Sequence, residues 1–187
     1  MEIPVVVQHR HVHLCQQDAQ ILFGTSNLLS SRMIDQRGQC IFSHPLSLYG
    51  PKGSFQDVCV IGPVRDKTQV EISSSDAQAI GLTVPLRISD DLERSSTVVL
   101  KTSLGEVRAK SSMIIPIRHL HLPPVFAQEY GLAHHDAVSL VLKGNMNIVF
   151  EHVVVRVHPT FIPAFHLTED EAASAWIQTG DYVILSL

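Results

Sequence analysis

The pentapeptide Arg10-His11-Val12-His13-Leu14 returns as Arg118-His119-Leu120-His121-Leu122. Two copies of Arg-His-x-His-Leu in a chain of 187 residues point to an internal duplication. A duplication constrains the fold, because each half must build the same local structure around the same residues. In an extended segment, residues two apart project from one face, so each copy sets two imidazoles side by side. Imidazoles paired in this way suit one divalent metal ion.

The repeat continues beyond the histidine pairs. Phe55-Gln56-Asp57-Val58 can be laid over Phe150-Glu151-His152-Val153 and extended without gaps. Val58–Val60 then falls on Val153–Val155, and Ser75-Asp76-Ala77 falls on Asp170-Glu171-Ala172. Between them Glu71 falls on His166, each at the end of a strand and just before a capped helix. The first repeat thus offers His11, His13 and Glu71; the second offers His119, His121 and His166. Zinc uses both two-His-one-carboxylate and three-His sets in catalysis, with the fourth position open. An open metal polarises a carbonyl or holds an anion such as phosphate. Arg65 follows the Gly62-Pro63 turn, and Arg156 interrupts an apolar strand. Each fits either a bidentate phosphate contact or a structural salt bridge. Arg10 and Arg118 read as partners of carboxylates. His9, His44, His134, His135, His152 and His158 read as surface or packing residues.

Local patterns fill in the rest. Helices are expected at Gln16–Phe23, closed by Gly24; at Ala77–Ile80, after the Ser73-Ser74-Ser75-Asp76 cap; and at Val125–Tyr130, after Pro123-Pro124. A Thr168/Glu171 capping box opens a fourth, running to about Gln178. Strands are expected at Val5–Gln8, Phe55–Ile61, Thr68–Ile72, Val84–Arg87, Thr97–Lys101, Val107–Lys110, Val138–Leu142, Ile148–Val157 and Tyr182–Leu185. Residues 25–53 read as loops with short strands, including a hairpin around Gln36-Arg37-Gly38. A link through Lys143-Gly144-Asn145 joins two of the later strands. The fold class is mainly β with short helices, and many short strands favour small barrels over a doubly wound sheet.

Composition removes several classes of function. With 45% hydrophobic and 17% charged residues the chain is not disordered. A net charge of −4 gives no support for non-specific nucleic-acid binding. No apolar run is long enough to cross a bilayer, and the N-terminus reads as a first strand rather than a signal peptide. Cys15, Cys40 and Cys59 form no CxxC and read as buried free thiols in a reducing cytoplasm.

Taken together, these residues resemble the PduL-type phosphate acyltransferases (phosphate propanoyltransferases). The resemblance is carried by Arg10-His11-Val12-His13-Leu14, by Gly62-Pro63-Val64-Arg65 with Thr68-Gln69-Val70-Glu71-Ile72-Ser73, by Arg118-His119-Leu120-His121-Leu122, by Val155-Arg156-Val157, and by His166 with Asp170-Glu171-Ala172. These motifs span almost the whole chain. The resemblance implies two tandem β-barrel domains capped by helices, residues 10–117 and 118–187, the second completed by an N-terminal strand over residues 1–9. It implies two zinc ions per chain, held by His11, His13, Glu71, His119, His121 and His166. It also implies phosphate held by Arg65 and Arg156, with Gln69 as a further substrate contact. The reaction implied is reversible transfer of a short acyl group, acetyl or propanoyl, between CoA and inorganic phosphate by a homodimer. The sequence departs from the family pattern at His9, where Ser is usual. It departs again at Ser89-Asp90-Asp91, where Ser-Gly-Asp is usual, and at Ala173-Ser174, which lacks an Asn. Members that enter bacterial microcompartments carry an N-terminal extension. The early first strand here leads to the expectation of a free cytoplasmic enzyme. Two other readings stand beside the acyltransferase: a metal-dependent hydrolase of thioesters or phosphoesters, and a non-catalytic CoA- or metal-binding paralogue. Arg65 and Arg156 favour phosphate over bulk water as the acyl acceptor.

Overall fold

The computed structural model describes residues 1–34, 38–144 and 148–186. The expected turn around Gln36-Arg37-Gly38 and the link through Asn145 fall on residues 35–37 and 145–147, outside the described residues. In chain order the first elements are β1 (Glu2–Gln8), β2 (His11–His13), α1 (Gln16–Phe23), β3 (Ser30–Met33), β4 (Cys40–Phe42), β5 (Leu46–Tyr49), β6 (Ser54–Gly62), β7 (Gln69–Glu71), α2 (Ser74–Ala79), β8 (Leu86–Arg87) and β9 (Ser96–Lys101). They are followed by β10 (Glu106–Pro116), β11 (His119–Leu122), α3 (Pro124–Glu129), β12 (Ala137–Leu142), β13 (Val149–Val157), β14 (Ala164–Thr168), α4 (Glu169–Ala175) and β15 (Tyr182–Ser186). The chain divides into two compact units, His9–Pro116 and Met1–Gln8 with Ile117–Leu187.

In the first unit the ring β2-β7-β10-β9-β5-β6 closes through a parallel pairing of β6 with β2. β4, β3 and β8 are attached outside this ring. Closure removes the exposed edges that a short-strand sheet would otherwise present. The interior is filled by Val12, Leu14, Leu48, Val60, Val70, Leu100 and Met113, with Leu22 of α1 packed against them. In the second unit β1-β14-β11-β13-β12-β15 form a closed barrel around Ile3, Val5, Leu120, Leu140, Val153, Val155, Phe165 and Val183. Alternation explains β1, where Ile3 and Val5 are buried and their neighbours are not.

The duplication is visible in the register. β2 runs parallel to β6 and antiparallel to β7, with His11 opposite Cys59 and Glu71. β11 runs parallel to β13 and antiparallel to β14, with His119 opposite Val154 and His166. Even a backbone irregularity is repeated: Asp57 (φ 55°) and His152 (φ 54°) are both left-handed, and they fall on one another in the ungapped overlay of the two repeats. The strand that leads into each histidine pair belongs to the other repeat's barrel. β1 pairs with β14 and β15, whereas β10 pairs with β7 and β9.

Several expectations need correction. α4 stops at Ala175, because Trp176 adopts a left-handed conformation (φ 55°) and ends the helix short of Gln178. α2 starts at Ser74, directly after its cap, rather than at Ala77. The three thiols are free, but Cys59 points outward from β6 and is exposed, and Cys15 and Cys40 are only half-buried. The strand expected to end at His166 is β14, which continues to Thr168 and is buried at every position, so only the repeat overlay and no alternation reveals it. Among the described residues no helix is long and apolar enough to cross a membrane.

Candidate functional site

Each barrel gathers one of the two expected triads. The ligand-type atoms of His11, His13 and Glu71 lie within 4.8 Å of one another, as do those of His119, His121 and His166, and all six residues are buried. Antiparallel register puts the third residue of each triad opposite the first histidine. The pleat then returns the second histidine to the same face. His11 Nε2 stands 3.6 Å from Glu71 Oε2. In the other triad the rings of His119 and His166 stack at 5.0 Å, and those of His121 and His166 lie 4.3 Å apart.

Hydrogen bonds fix which nitrogen is available. Nδ1 of His11 donates to the His9 carbonyl at 2.8 Å, and Nδ1 of His119 donates to the Ile117 carbonyl at 2.8 Å, the same device in both repeats. His13 Nδ1 donates to the Ile61 carbonyl at 3.0 Å. A carbonyl only accepts, so the proton resides on Nδ1 and the Nε2 lone pair is left for another partner. The His121 ring is held instead by Phe161, stacked at 3.7 Å, and its buried Nδ1 makes no hydrogen bond among the described residues. Burial, reinforced by His11 and Arg65, pushes the His13 imidazole down to about 3. Burial, and then the neighbouring His166 and His119, also holds His121 far below the ordinary histidine range. Buried imidazoles gathered this closely are a donor set that a divalent transition metal takes, although the Nε2 of His13 here receives Arg65 Nη2 at 2.9 Å. The residues therefore fit a metal ion.

Glu71 is held from one side. Its Oε1 accepts from Gln69 Nε2 at 2.6 Å and from Ser89 Oγ at 3.0 Å, while Oε2 faces His11. Gln69 Nε2 also donates to Ser89 Oγ at 2.7 Å, and Gln69 Oε1 accepts from the Asp90 backbone N–H at 2.8 Å. Both amide hydrogens of Gln69, expected to contact substrate, are therefore committed within the protein. Ser89 and Asp90 enter the site from a turn that no periodic pattern marks in the sequence.

Arg65 follows a cis Gly62–Pro63 bond. A side chain at Gly62 would meet the Phe42 ring at 2.3 Å, so the turn needs glycine there. The Arg65 backbone N–H donates to the Leu14 carbonyl at 2.8 Å, fixing its Cα beside β2. Its guanidinium forks, with Nη2 2.9 Å from His13 Nε2 and Nη1 3.3 Å from Asp90 Oδ1. Arg156 sits on β13 directly across from His121. Arg10 and Arg118 do take carboxylates. Arg10 pairs bidentately with Asp76 at 2.9 and 2.8 Å, and Arg118 meets Glu171 at 3.1 Å. Asp76 and Glu171 fall on one another in the repeat overlay, so each barrel fastens its histidine strand to the helix that follows its third site residue. Cys15 caps α1, its Sγ accepting from the Asp18 N–H at 3.5 Å.

Fold and site together define a class: a duplicated pair of six-stranded barrels, each with one buried three-residue cluster suited to a metal. The phosphate propanoyltransferase family model matches residues 4–178. The chain is 38% identical to a phosphate propanoyltransferase of Shewanella putrefaciens over 182 residues, covering 97% of this chain and 86% of that protein. It is 38% identical to one of Thermotoga maritima over 185 residues, covering 98% and 88%, and 36% identical to one of Alkaliphilus metalliredigens over 181 residues, covering 96% and 85%. The chain belongs to the phosphate propanoyltransferase family.

Proposed function

We propose that this protein is a phosphate acyltransferase that moves a short acyl group, acetyl or propanoyl, between CoA and inorganic phosphate, and that each of its two units is a domain carrying one zinc ion. His11, His13 and Glu71 would hold one ion and His119, His121 and His166 the other. Bound there, zinc supplies Lewis acidity for the thioester carbonyl and a counter-charge for anionic oxygen. The observation that carries the reading is the placement of Arg65, whose guanidinium rests against His13 of the first cluster.

Arg65 presents a planar pair of donors that matches two phosphate oxygens. Arg156, beside His121, gives the second cluster the same kind of donor. A phosphate oxygen attacks the thioester carbonyl carbon, the C–S bond breaks, and the proton lost from phosphate passes to the departing CoA thiolate. The thioester already carries the activation, so no protein nucleophile is needed; Cys15 serves as a helix cap. Gln69 and Ser89 act through Glu71, turning one carboxylate oxygen toward His11 and keeping the other occupied. Held geometry of this kind supplies rate by removing the need to reorganise during reaction.

The test is CoA release from acetyl- and propanoyl-CoA, with and without phosphate and before and after chelation. Phosphate-dependent release that chelation removes is the expected result. Release that ignores phosphate identifies a hydrolase instead, and absence of release from metal-replete protein rules out catalysis on these thioesters.

A further inference from the structure

Asp90 stands at a backbone position that suits glycine. Its φ is 81°, in the left-handed region that costs a residue with a Cβ and that glycine occupies freely. Its backbone N–H is used by Gln69 Oε1 at 2.8 Å, and glycine would supply that N–H equally well. What only aspartate adds is the carboxylate, and that carboxylate reaches Arg65 Nη1 at 3.3 Å. The adjacent Asp91 turns the other way, to Arg87 at 3.7 Å, so the contact with Arg65 is particular to Asp90 and not a general acidity of the turn. Through Gln69, the turn is also tied to Glu71 of the metal-type cluster. The pair is open to exchange, with the Asp90 side chain 65% exposed and that of Arg65 27%. Ion pairs this exposed are weakly held.

We propose that Asp90 is an internal competitor for the substrate oxyanion: its carboxylate engages the Arg65 guanidinium that phosphate requires, and so sets how tightly and how selectively phosphate is bound. This rests on Arg65 being the phosphate residue. The Asp90 carboxylate, a single negative charge 3.3 Å from Nη1, yields to a phosphate dianion that takes that arm of the fork while Nη2 stays against His13. Phosphate therefore still binds, at reduced affinity, and weaker or singly charged anions are kept out. Asp90 also repels the incoming anion directly, and both effects diminish as salt rises. Asp90 is in this account a specificity-determining residue and makes no bond to the reacting atoms.

Calorimetric titration of the full-length protein with inorganic phosphate tests this directly, using wild type, Asp90→Asn, Asp90→Gly, Arg65→Ala and the Arg65→Ala/Asp90→Asn double variant. Asn and Gly both tolerate a left-handed backbone, so fold is retained. Phosphate is expected to bind roughly three- to tenfold tighter to either Asp90 variant, with the gain shrinking in high salt. Binding should be lost in Arg65→Ala and not regained in the double variant. If the Asp90 variants bind phosphate no more tightly than wild type while Arg65→Ala loses binding, the competition is wrong and the phosphate role of Arg65 survives. If Arg65→Ala binds phosphate as wild type does, the assignment of Arg65 itself is overturned, and this proposal with it.

Discussion

A metal site of the kind proposed would need its histidines neutral, and burial favours the neutral form of His13 and His121. The same burial has a consequence for folding. In the unfolded chain each imidazole titrates at its ordinary value of about 6.5, whereas in the fold His13 accepts a proton only near 3. Between those values the unfolded state binds more protons, so stability is complete above about pH 6.5 and falls as pH drops toward 3. Metal-stripped protein should show nearly constant urea midpoints from pH 8 to 7 and lose on the order of 1 kcal/mol per such histidine by pH 5.5. A midpoint unchanged at pH 5.5 would show that these imidazoles are already charged in the fold. At this scale much was legible in the sequence. The gapless overlay of Phe55 on Phe150 set Glu71 against His166, and the fold brings each of them among the histidines of its own repeat. The Glu71 support was not legible, because Ser89 and Asp90 arrive from an irregular turn and their side chains act through contacts that no spacing encodes.

Among the elements, the short helices do the fastening. Ser73 caps α2 and Thr168 caps α4, and each helix presents an acid to the arginine of its histidine motif. The two clamps differ in burial. The Asp76 side chain is 7% exposed against 27% for Glu171. Removing Arg10 strands a buried carboxylate, and removing Arg118 strands a partly solvated one. Arg10→Ala should therefore cost about 2 kcal/mol and Arg118→Ala about 1 or less, read as the difference in urea unfolding free energy. Equal costs, or the reverse order, would mean that the clamps do not act through burial. The Thr168/Glu171 box was the most legible cap, since both of its hydrogen bonds form; the Ser73–Asp76 run marked α2 but not that the helix opens at Ser74. The end of α4 was missed because nothing about Trp176 announces a left-handed backbone. β14 was legible only through the overlay that ends a strand at His166, because burial at all five positions leaves no polar beat to read.

For the whole molecule, the feature that organises the two barrels is strand exchange, with β1 and β10 each completing the barrel of the other repeat. Residue patterns alone do not contain it: β1 reads as a strand, but its partners are set by long-range pairing. If β1 belongs with β14 and β15, truncating Ile3, which is fully buried there, should cost about 2–4 kcal/mol. The amides of β14 and β15 should then exchange faster with solvent. Faster exchange in β7 and β9 instead would place β1 in the wrong barrel. The duplication also predicts independent loss of function by halves, and this bears on the central claim that each repeat holds one metal ion. The direct measurement is metal content by elemental analysis of folded wild type, His11→Ala/His13→Ala and His119→Ala/His121→Ala. Two equivalents in wild type and one in each double variant is the predicted result. Double variants that stay folded and keep the full wild-type metal content would contradict it.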